Sequence, residues 1–207
     1  KDSLDNFINW QFHELNHYKN RVVLSDTYDK DAITKFTKEV SGEQTLEQAI
    51  EIKKGQTSKS VNLQVYQDNP TLTSPKLKDK KLVNLEKGDV AISQQLAEQL
   101  NISKQDKITY RAYGDKKWTT LTVTKFFYAP SNQGIIMNQS TYEDKGFTFN
   151  ATSILTNKKE IKKRDDFKNI QSQHELKKSS IERMEMMNLL IIILVIAAVI
   201  MAFIVLY

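Results

Sequence analysis

The sequence predicts an α+β fold, in which mixed-sheet lobes carry short helices and a long stalk helix continues into a transmembrane helix. Several segments alternate apolar and polar residues with a period of two, as half-buried strands do. A few others repeat apolar residues at helical spacing. The strands and helices do not alternate strictly along the chain, which favours α+β over α/β.

The C-terminal segment predicts the membrane helix. Residues 189–207 contain no charged residue, no Gly and no Pro. A helix of this length rises about 28 Å, close to the thickness of the hydrocarbon core of a bilayer. A buried core helix would carry a polar stripe, which this segment lacks.

We therefore predict a domain over residues 1–174, a stalk helix over 175–187 and a transmembrane helix over 188–207. Residues 68–81 hold two of the three prolines and several lysines, so we consider a division of the domain into two lobes near this stretch. The chain opens at Lys1, without Met and within a predicted helix, so we expect it to be part of a longer protein.

Composition narrows the classes of function. The formal charge of +5 is modest for 207 residues and both signs are interspersed, so no nucleic-acid partner is expected. The chain has no Cys, which excludes disulfides and thiolate metal sites. Phosphate-binding glycine loops and serine nucleophile elbows are absent from the sequence. We expect no cofactor and no catalytic residue.

The predicted elements follow one another along the whole chain. Helices are predicted over 3–19, from a cap at Asp29 or Asp31 to Gly42, over 93–100 and over 139–145. Strands are predicted over 21–24, 47–54, 60–67, 89–92, 107–111, 118–124, 134–137 and 152–156. After Lys158 there is no Pro or Gly, so a helix that resumes near Phe167 or Glu175 can continue unbroken into the apolar segment.

The motif HExxH occurs once, at His13, Glu14 and His17. On a helix it places two imidazoles one turn apart as zinc ligands, with the Glu as general base. The apolar stripe of the predicted helix lies on the opposite face, however, so both imidazoles would face solvent. The further Gly and third His of extended zinc motifs are also missing. We therefore reject a metal site here.

Two basic clusters and one apolar series remain as candidate sites. The first basic cluster lies within 76–81. The second consists of Lys158, Lys159, Lys162, Lys163 and Arg164. Such clusters are ordinarily solvated, and the alternative for the second is contact with anionic lipid head groups or anionic surface polymers.

The apolar series runs directly into the membrane segment. Leu176, Ile181, Met184 and Met187 lie at helical spacing along the predicted stalk. A stiff helix that is continuous with a membrane span can transmit a tilt or a displacement across the interface. The alternative is a plain connector, and the two interpretations are equally compatible with the sequence.

Three blocks of sequence occur in the same order as in a known family. Residues 88–109, GDVAISQQLAEQLNISKQDKIT, match a strand, an S-x-x-L-A-x-x-L helix and a G-D-x-I turn. Residues 167–207 match an F-x-x-I-x-S segment, a stalk helix and a span that ends in FIVLY. Gln11, Phe12 and Tyr18 form a weaker third block. The chain resembles the extracytoplasmic domain of FtsX-like, MacB-type ABC transporter permeases.

Two residues depart from the pattern of that family. Gln105 stands where the family usually has Gly before Asp106, and Asn101 stands where Gly often closes the helix. Asn adopts the left-handed conformation more readily than Gln does. We therefore expect a local difference at this turn and no change of fold.

The resemblance implies a MacB periplasmic-core-like fold and a non-catalytic permease subunit in the cell membrane, with residues 1 to about 187 extracytoplasmic. It implies that a separate cytosolic ABC ATPase subunit supplies the energy and that the stalk carries the motion by mechanotransmission. The further implied partners are the lipid bilayer, the remaining permease spans, a second permease copy or repeat, and a peptide, lipid or protein ligand. The functions known in the family are export, antimicrobial-peptide resistance and cell-envelope remodelling.

A second hypothesis is an extracytoplasmic ligand-sensing domain of a membrane receptor or kinase, which also uses a helix that enters the bilayer. The residues that follow the first span distinguish the two, since two further spans indicate a permease and a cytoplasmic signalling helix indicates a sensor. Sequence physics alone leaves the side of the membrane open, because the positive-inside rule is weak beside long domains.

Overall fold

The computed structural model describes residues 2–206, and these residues form an α+β domain from which one long helix projects. The α-helices are α1 (Asp2–Asn9), α2 (Lys30–Glu39), α3 (Gln94–Gln99), α4 (Gln139–Asp144) and α5 (Gln173–Leu206). The strands are β1 (Asn20–Leu24), β2 (Glu43–Lys54), β3 (Thr57–Tyr66), β4 (Ala91–Ser93), β5 (Lys107–Ala112), β6 (Thr119–Thr122), β7 (Lys125–Phe127), β8 (Gly134–Asn138), β9 (Ser153–Thr156) and β10 (Phe167–Ser172). A π-helix, Trp10–Leu15, continues α1.

All ten strands belong to one mixed sheet in the order β10-β1-β9-β2-β3-β8-β4-β7, with β5 paired to β2 and β6 paired to β5. The pairs β3–β8 and β4–β7 are parallel and the others are antiparallel. The twelve-residue strand β2 joins the two halves of this sheet. Its first residues pair with β9, its last residues pair with β5, and β3 pairs with it along the other edge.

Two main apolar clusters pack against this sheet. The larger one holds side chains of β2, β3, β5, β6 and β8 together with α3 and α4. The smaller one lies between α2 and the strands β1 and β9, where Ile33, Phe36 and Val40 are buried. Full burial of one Ile or Leu side chain contributes about 1.5–3 kcal/mol. The predicted fold class, α+β with short helices and a long terminal helix, is confirmed.

Local signals placed several elements correctly. Asp29 caps α2, where its carboxylate accepts hydrogen bonds from the backbone N–H groups of Asp31 and Ala32. Asn101, which follows α3, and Gln105 both have a left-handed backbone, with φ of 52° and 72°. Gln105 therefore adopts the left-handed conformation that Gly would adopt at this position. The Gln105 N–H donates to the Val123 carbonyl at 2.7 Å, which holds the turn in place.

The predicted helix over 3–19 is wrong in its last four residues, because helical structure ends at Leu15. Asn16 forms an antiparallel bridge with Thr73, and the His17 N–H donates to the Leu72 carbonyl at 2.9 Å. Ser74 N–H in turn donates to the Leu15 carbonyl at 2.8 Å. Pairing with a distant loop therefore replaces the last turn of the helix.

Two further boundaries differ from the prediction. The strand expected over 118–124 is shorter in the structure, because β6 ends at Thr122 and the next strand, β7, begins at Lys125. Of the two starts expected for the terminal helix, the one near Phe167 is wrong, because Phe167–Ser172 is a strand. The helix begins at Gln173, close to the alternative start at Glu175. The loop 68–81 connects β3 and β4 of the same sheet, and the proposed division into lobes near it stays a prediction.

Helix α5 runs without interruption from Gln173 to Leu206. Within residues 2–206 it is the one helix long and apolar enough to cross a membrane. The apolar side chains from Leu189 onward are exposed, with fractions such as 57% for Leu189 and 66% for Ile204. The boundary between stalk and span near residue 188 stays a prediction, and Tyr207 lies outside the described residues.

Candidate functional site

The candidate site is the base of α5, where the helix leaves the sheet. Strand β10 pairs with β1 up to the partners Ser172 and Asn20, and α5 starts at the next residue. The Gln173 N–H donates to the Lys19 carbonyl at 2.8 Å. The first turn of the helix is therefore bonded to the strand beside it as well as to the strand that precedes it.

A second contact joins α5 to the N-terminal helical segment. The Lys177 ammonium donates to Nε2 of His13, with 2.8 Å between the two nitrogens. Helix α1 also contacts α5. Both ends of the domain therefore meet at the point from which the long helix projects.

The three residues of the HExxH motif do not share one α-helix. His13 and Glu14 lie in the π-helix, whereas His17 lies beyond its end in an extended segment. Groups of three or more His, Asp and Glu side chains arranged to hold a metal ion do not occur within residues 2–206. His13 and His17 are therefore not one turn apart on a single α-helix, as the HExxH pattern would require for a zinc site.

The Glu14 carboxylate instead forms two ion pairs with the loop 68–81. Its oxygens lie 2.7 Å from Nζ of Lys76 and 2.9 Å from Nζ of Lys80. The hydrogen bond from Lys76, and then that from Lys80, lower the pKa of Glu14 from 4.5 to about 2. Glu14 is thus held ionised, and its contacts fasten the loop to the π-helix.

The same loop is fastened to the start of β2 by a buried carboxylate. Glu43 accepts hydrogen bonds from the Thr71 N–H at 2.8 Å, the Thr71 hydroxyl at 2.5 Å and the Leu72 N–H at 3.3 Å. A buried carboxylate needs such donors, because burial without them costs several kcal/mol or shifts its pKa. The loop 68–81 therefore acts as a strap between the π-helix and the sheet.

A small polar cavity lies under this strap, between the π-helix and the sheet. Its lining includes the ion pair of Arg21 and Glu47 and the phenols of Tyr18 and Tyr66. Burial raises the pKa of both phenols, so they stay neutral. Burial alone would lower the pKa of Arg21, but the Glu47 carboxylate outweighs it and the net direction is upward. The cavity thus holds a permanent ion pair rather than a group that exchanges protons near neutral pH.

The predicted coupling residues lie on α5 beyond its anchored base. Leu176 and Ile181 are 37% and 38% exposed, Met184 is half-buried, and Met187 is 56% exposed. Their apolar surface is left largely uncovered by the described part of the chain, as expected for a helix that meets other helices. Their assignment as coupling residues stays a prediction.

The second basic cluster is divided by the structure. Lys158, Lys159, Lys162 and Lys163 are exposed. Asn20 Nδ2 donates to the backbone carbonyls of Lys158 and Lys159, at 2.7 and 3.1 Å, which places these two lysines beside the base of α5. Contact of this cluster with an anionic surface stays a prediction.

Arg164, the fifth member of that cluster, is engaged inside the domain. Its guanidinium donates to both carboxylate oxygens of Asp166, at 3.0 and 2.7 Å. It also lies over the rings of Phe36 and Phe167, with centroids 5.4 and 5.2 Å away. Its contacts are therefore those of a residue that closes the edge of the smaller apolar cluster.

The contacts that anchor α5 could not be predicted from the sequence. The Lys177–His13 contact spans 164 positions, and the Gln173–Lys19 bond joins residues that are almost as far apart. The Arg21–Glu47 pair likewise joins two strands that are not neighbours in the sheet. Only a signal of residues that vary together could have linked such positions in advance.

No protein-family model and no curated protein matches the chain. Among solved structures, the chain is similar to the periplasmic region of MacB from Actinobacillus actinomycetemcomitans, with 11% identity and a TM-score of 0.51 over 83% of this chain and 96% of that one. It is also similar to the extracellular domain of the noncanonic ABC-type transporter YknZ from Gram-positive bacteria, with 10% identity and a TM-score of 0.46 over 67% of this chain and 81% of that one.

The likeness to the MacB region covers nearly the whole of that region. At this low identity it shows the fold, and the predicted MacB periplasmic-core-like architecture is confirmed. The ten-stranded mixed sheet with its short helices is thus a fold shared with that periplasmic region, and in this chain it leads directly into a long apolar helix.

Proposed function

We propose that the chain is the extracytoplasmic domain, and the start of the following span, of a non-catalytic ABC transporter permease. In this proposal the domain binds a ligand or partner, and α5 couples it to ATP hydrolysis on the cytosolic side. The process served is export, antimicrobial-peptide resistance or cell-envelope remodelling. The fold shared with the MacB periplasmic region and the position of the apolar helix support the proposal.

The single observation that carries it is the unbroken helix from Gln173 to Leu206. Residues 173–187, the part of α5 between the sheet and the predicted span, rise about 22 Å. Sharp kinks in helices arise at Pro, at Gly/Ser pairs or at inserted side chains. The α5 sequence contains neither Pro nor Gly, and the helix continues unbroken through Ser179 and Ser180, where the Ser180 hydroxyl donates to the Leu176 carbonyl at 2.8 Å. A tilt of the span therefore moves the base of the domain, where strands and the N-terminal segment are bonded to the first turn.

The proposal assigns the other parts to other polypeptides or spans. A cytosolic ABC ATPase subunit hydrolyses ATP, and the remaining permease spans, or a second copy, surround α5 in the bilayer. The exposed apolar side chains along α5 are suited to such neighbours. Residues 1 to about 187 lie outside the cytoplasm in this arrangement, and no nucleic acid takes part.

Insertion of Gly-Pro after Ser179 tests the coupling. It should abolish transport or resistance while the ATPase subunit still co-purifies with the permease, because the break lies outside the bilayer and outside the folded domain. The substitution pair Ser179→Ala and Ser180→Ala serves as the control, since it leaves the helix intact and should leave activity unchanged.

Two outcomes contradict the proposal. Full activity after the Gly-Pro insertion would exclude coupling through this helix. Co-purification of a kinase or another signalling protein, with no ABC ATPase, would favour the sensor hypothesis, which uses the same kind of continuous helix.

A further inference from the structure

The end of β2 away from α5 lies at a cleft whose lining includes three lysines. Strand β2 starts at Glu43, which pairs with Leu155 of β9. The next residue of β9, Thr156, pairs with Asn20 at the base of α5. Strand β2 then runs to Lys54, so that residue 53 lies about 33 Å along the strand. The cleft is lined by Lys53, Lys54, Gly55, Lys107, Ile108, Thr109, Trp118 and Thr120.

The cations of this cleft come from separate parts of the chain that the sheet brings together. Lys53 on β2 is directly opposite Thr109 on β5, which is opposite Thr120 on β6. Lys107 lies two positions from Thr109 and hence on the same face. The intervening Ile108 and the neighbouring Ile52 point into the core and are buried.

The lining contains no carboxylate. Of the nearby acids, Glu51 pairs with Arg111 at 2.7 Å and Asp106 pairs with Lys54 at 2.6 Å. Asp115 lies in the hairpin turn before Trp118, beside the exposed Lys116 and Lys117. Within residues 2–206, no ion pair involves Lys53 or Lys107.

An aromatic wall and hydroxyl groups complete the cleft. The ring of Trp118 is half-buried, with Nζ of Lys53 at 5.9 Å and Cζ of Arg111 at 4.5 Å from its centroid. Thr120 is exposed and Thr109 is half-buried. The cleft therefore offers unpaired positive charge, hydroxyl donors and one apolar surface on a rigid three-stranded support.

We propose that this cleft binds the phosphate groups of a linear polyanion. Its unpaired cations are lysines, which bind phosphate as point charges, whereas the residue suited to forked carboxylate recognition, Arg111, is already paired. Lysine is also depleted from the cores of protein–protein interfaces, which makes a protein partner a poorer fit. The proposal concerns this surface alone and does not depend on the coupling role of α5.

The test measures binding of a short-chain inorganic polyphosphate to the whole chain in an uncharged detergent. The readout is the fluorescence of Trp118, with Trp118→Phe as the variant that should lose the signal, since the other tryptophan, Trp10, is buried. Lys53→Gln combined with Lys107→Gln should weaken binding at least about tenfold, because charged hydrogen bonds are lost. Lys35→Gln combined with Lys38→Gln removes the same charge from α2 and should leave the affinity within about twofold.

Binding measurements with other anions distinguish a phosphate polymer from free phosphate, from an acidic protein and from a lipid surface. Free inorganic phosphate should bind much more weakly than the polymer, because it reaches one lysine at a time. The affinity for the polymer should fall with salt, with a slope that corresponds to roughly two or three neutralised phosphates.

Four results would overturn the proposal. They are equal weakening by the α2 pair, equal or greater weakening by Lys158→Gln with Lys159→Gln, tighter binding of polyglutamate than of polyphosphate, and tighter binding to anionic lipid vesicles than to the polymer. The first two would assign binding to diffuse charge or to the base of α5, the third to an acidic protein, and the fourth to a membrane surface.

Discussion

Nε2 of His13 lies 2.8 Å from Nζ of Lys177, and this contact joins the N-terminal helical segment to the first turns of the terminal helix. It lies beside the backbone hydrogen bond between Gln173 and Lys19. The base of α5 is therefore held by one backbone bond and one side-chain bond from two different segments.

Substitution His13→Ala should loosen this junction without unfolding the domain. The contact is exposed, so its loss should cost about 0.2–1 kcal/mol. Amide hydrogen exchange in residues 173–178 should become up to about fivefold faster, while the global unfolding free energy falls by no more than about 1 kcal/mol. His174→Ala is the matched control, because His174 is exposed on the same helix turn. Equal exchange rates in the two variants would show that the contact between Lys177 and His13 does not stabilise the base of α5.

Substitution Glu14→Gln should destabilise the domain in a pH-dependent way. The pKa of Glu14 in the fold is about 2, below its ordinary value of 4.5. Its stabilising contribution is therefore complete above the ordinary value and is lost as the pH falls towards 2. At pH 7 the loss of two charge-assisted hydrogen bonds should cost roughly 1–3 kcal/mol.

Urea unfolding at pH 7, 5 and 3 measures this effect. The difference between the wild-type chain and Glu14→Gln should narrow between pH 5 and pH 3. Glu98→Gln, on the exposed surface of α3, should change stability by less than about 0.5 kcal/mol at each pH. A difference that is independent of pH would contradict the ionic anchoring of the strap.

Substitution Gln105→Gly should stabilise the domain by about 0.5–1 kcal/mol. Gln105 has φ of 72°, a conformation that strains a residue with a Cβ atom and that Gly adopts freely. The same change in right-handed helix, Gln95→Gly in α3, should destabilise by a comparable amount. Thermal unfolding of the two variants should thus give shifts of opposite sign, and two shifts of the same sign would contradict the assignment of strain.

Elements that depend on local signals were predictable from the sequence. The capped helix α2, the long hairpin of β2 and β3, and the unbroken terminal helix were all expected near their observed positions. In each case the cap, the alternation or the lack of Pro and Gly acts within a few residues. The resemblance of three ordered blocks added the MacB-type architecture.

Features that depend on distant contacts were not predictable. The helix expected over 3–19 stops at Leu15 because the loop around Thr73 offers its backbone as a partner. The lysine cleft was missed because Lys53, Lys107 and Trp118 are far apart in sequence and meet only through strand pairing. The basic clusters visible as runs in the sequence contain Arg164, Lys76 and Lys80, all of which are paired within the domain.

The length of β2 has a consequence for any signal that passes through the domain. This one strand pairs with β9 near the base of α5 and with β5 beneath the lysine cleft, and β3 pairs with it from Thr45 to Lys54. A strand that is continuous and paired in this way moves as one unit. A displacement at one end of β2 would therefore rotate the whole strand rather than relax locally. If α5 couples the domain to a membrane span as proposed, binding at the lysine cleft and the tilt of α5 would influence each other by the same free energy, as reciprocity of linked equilibria requires.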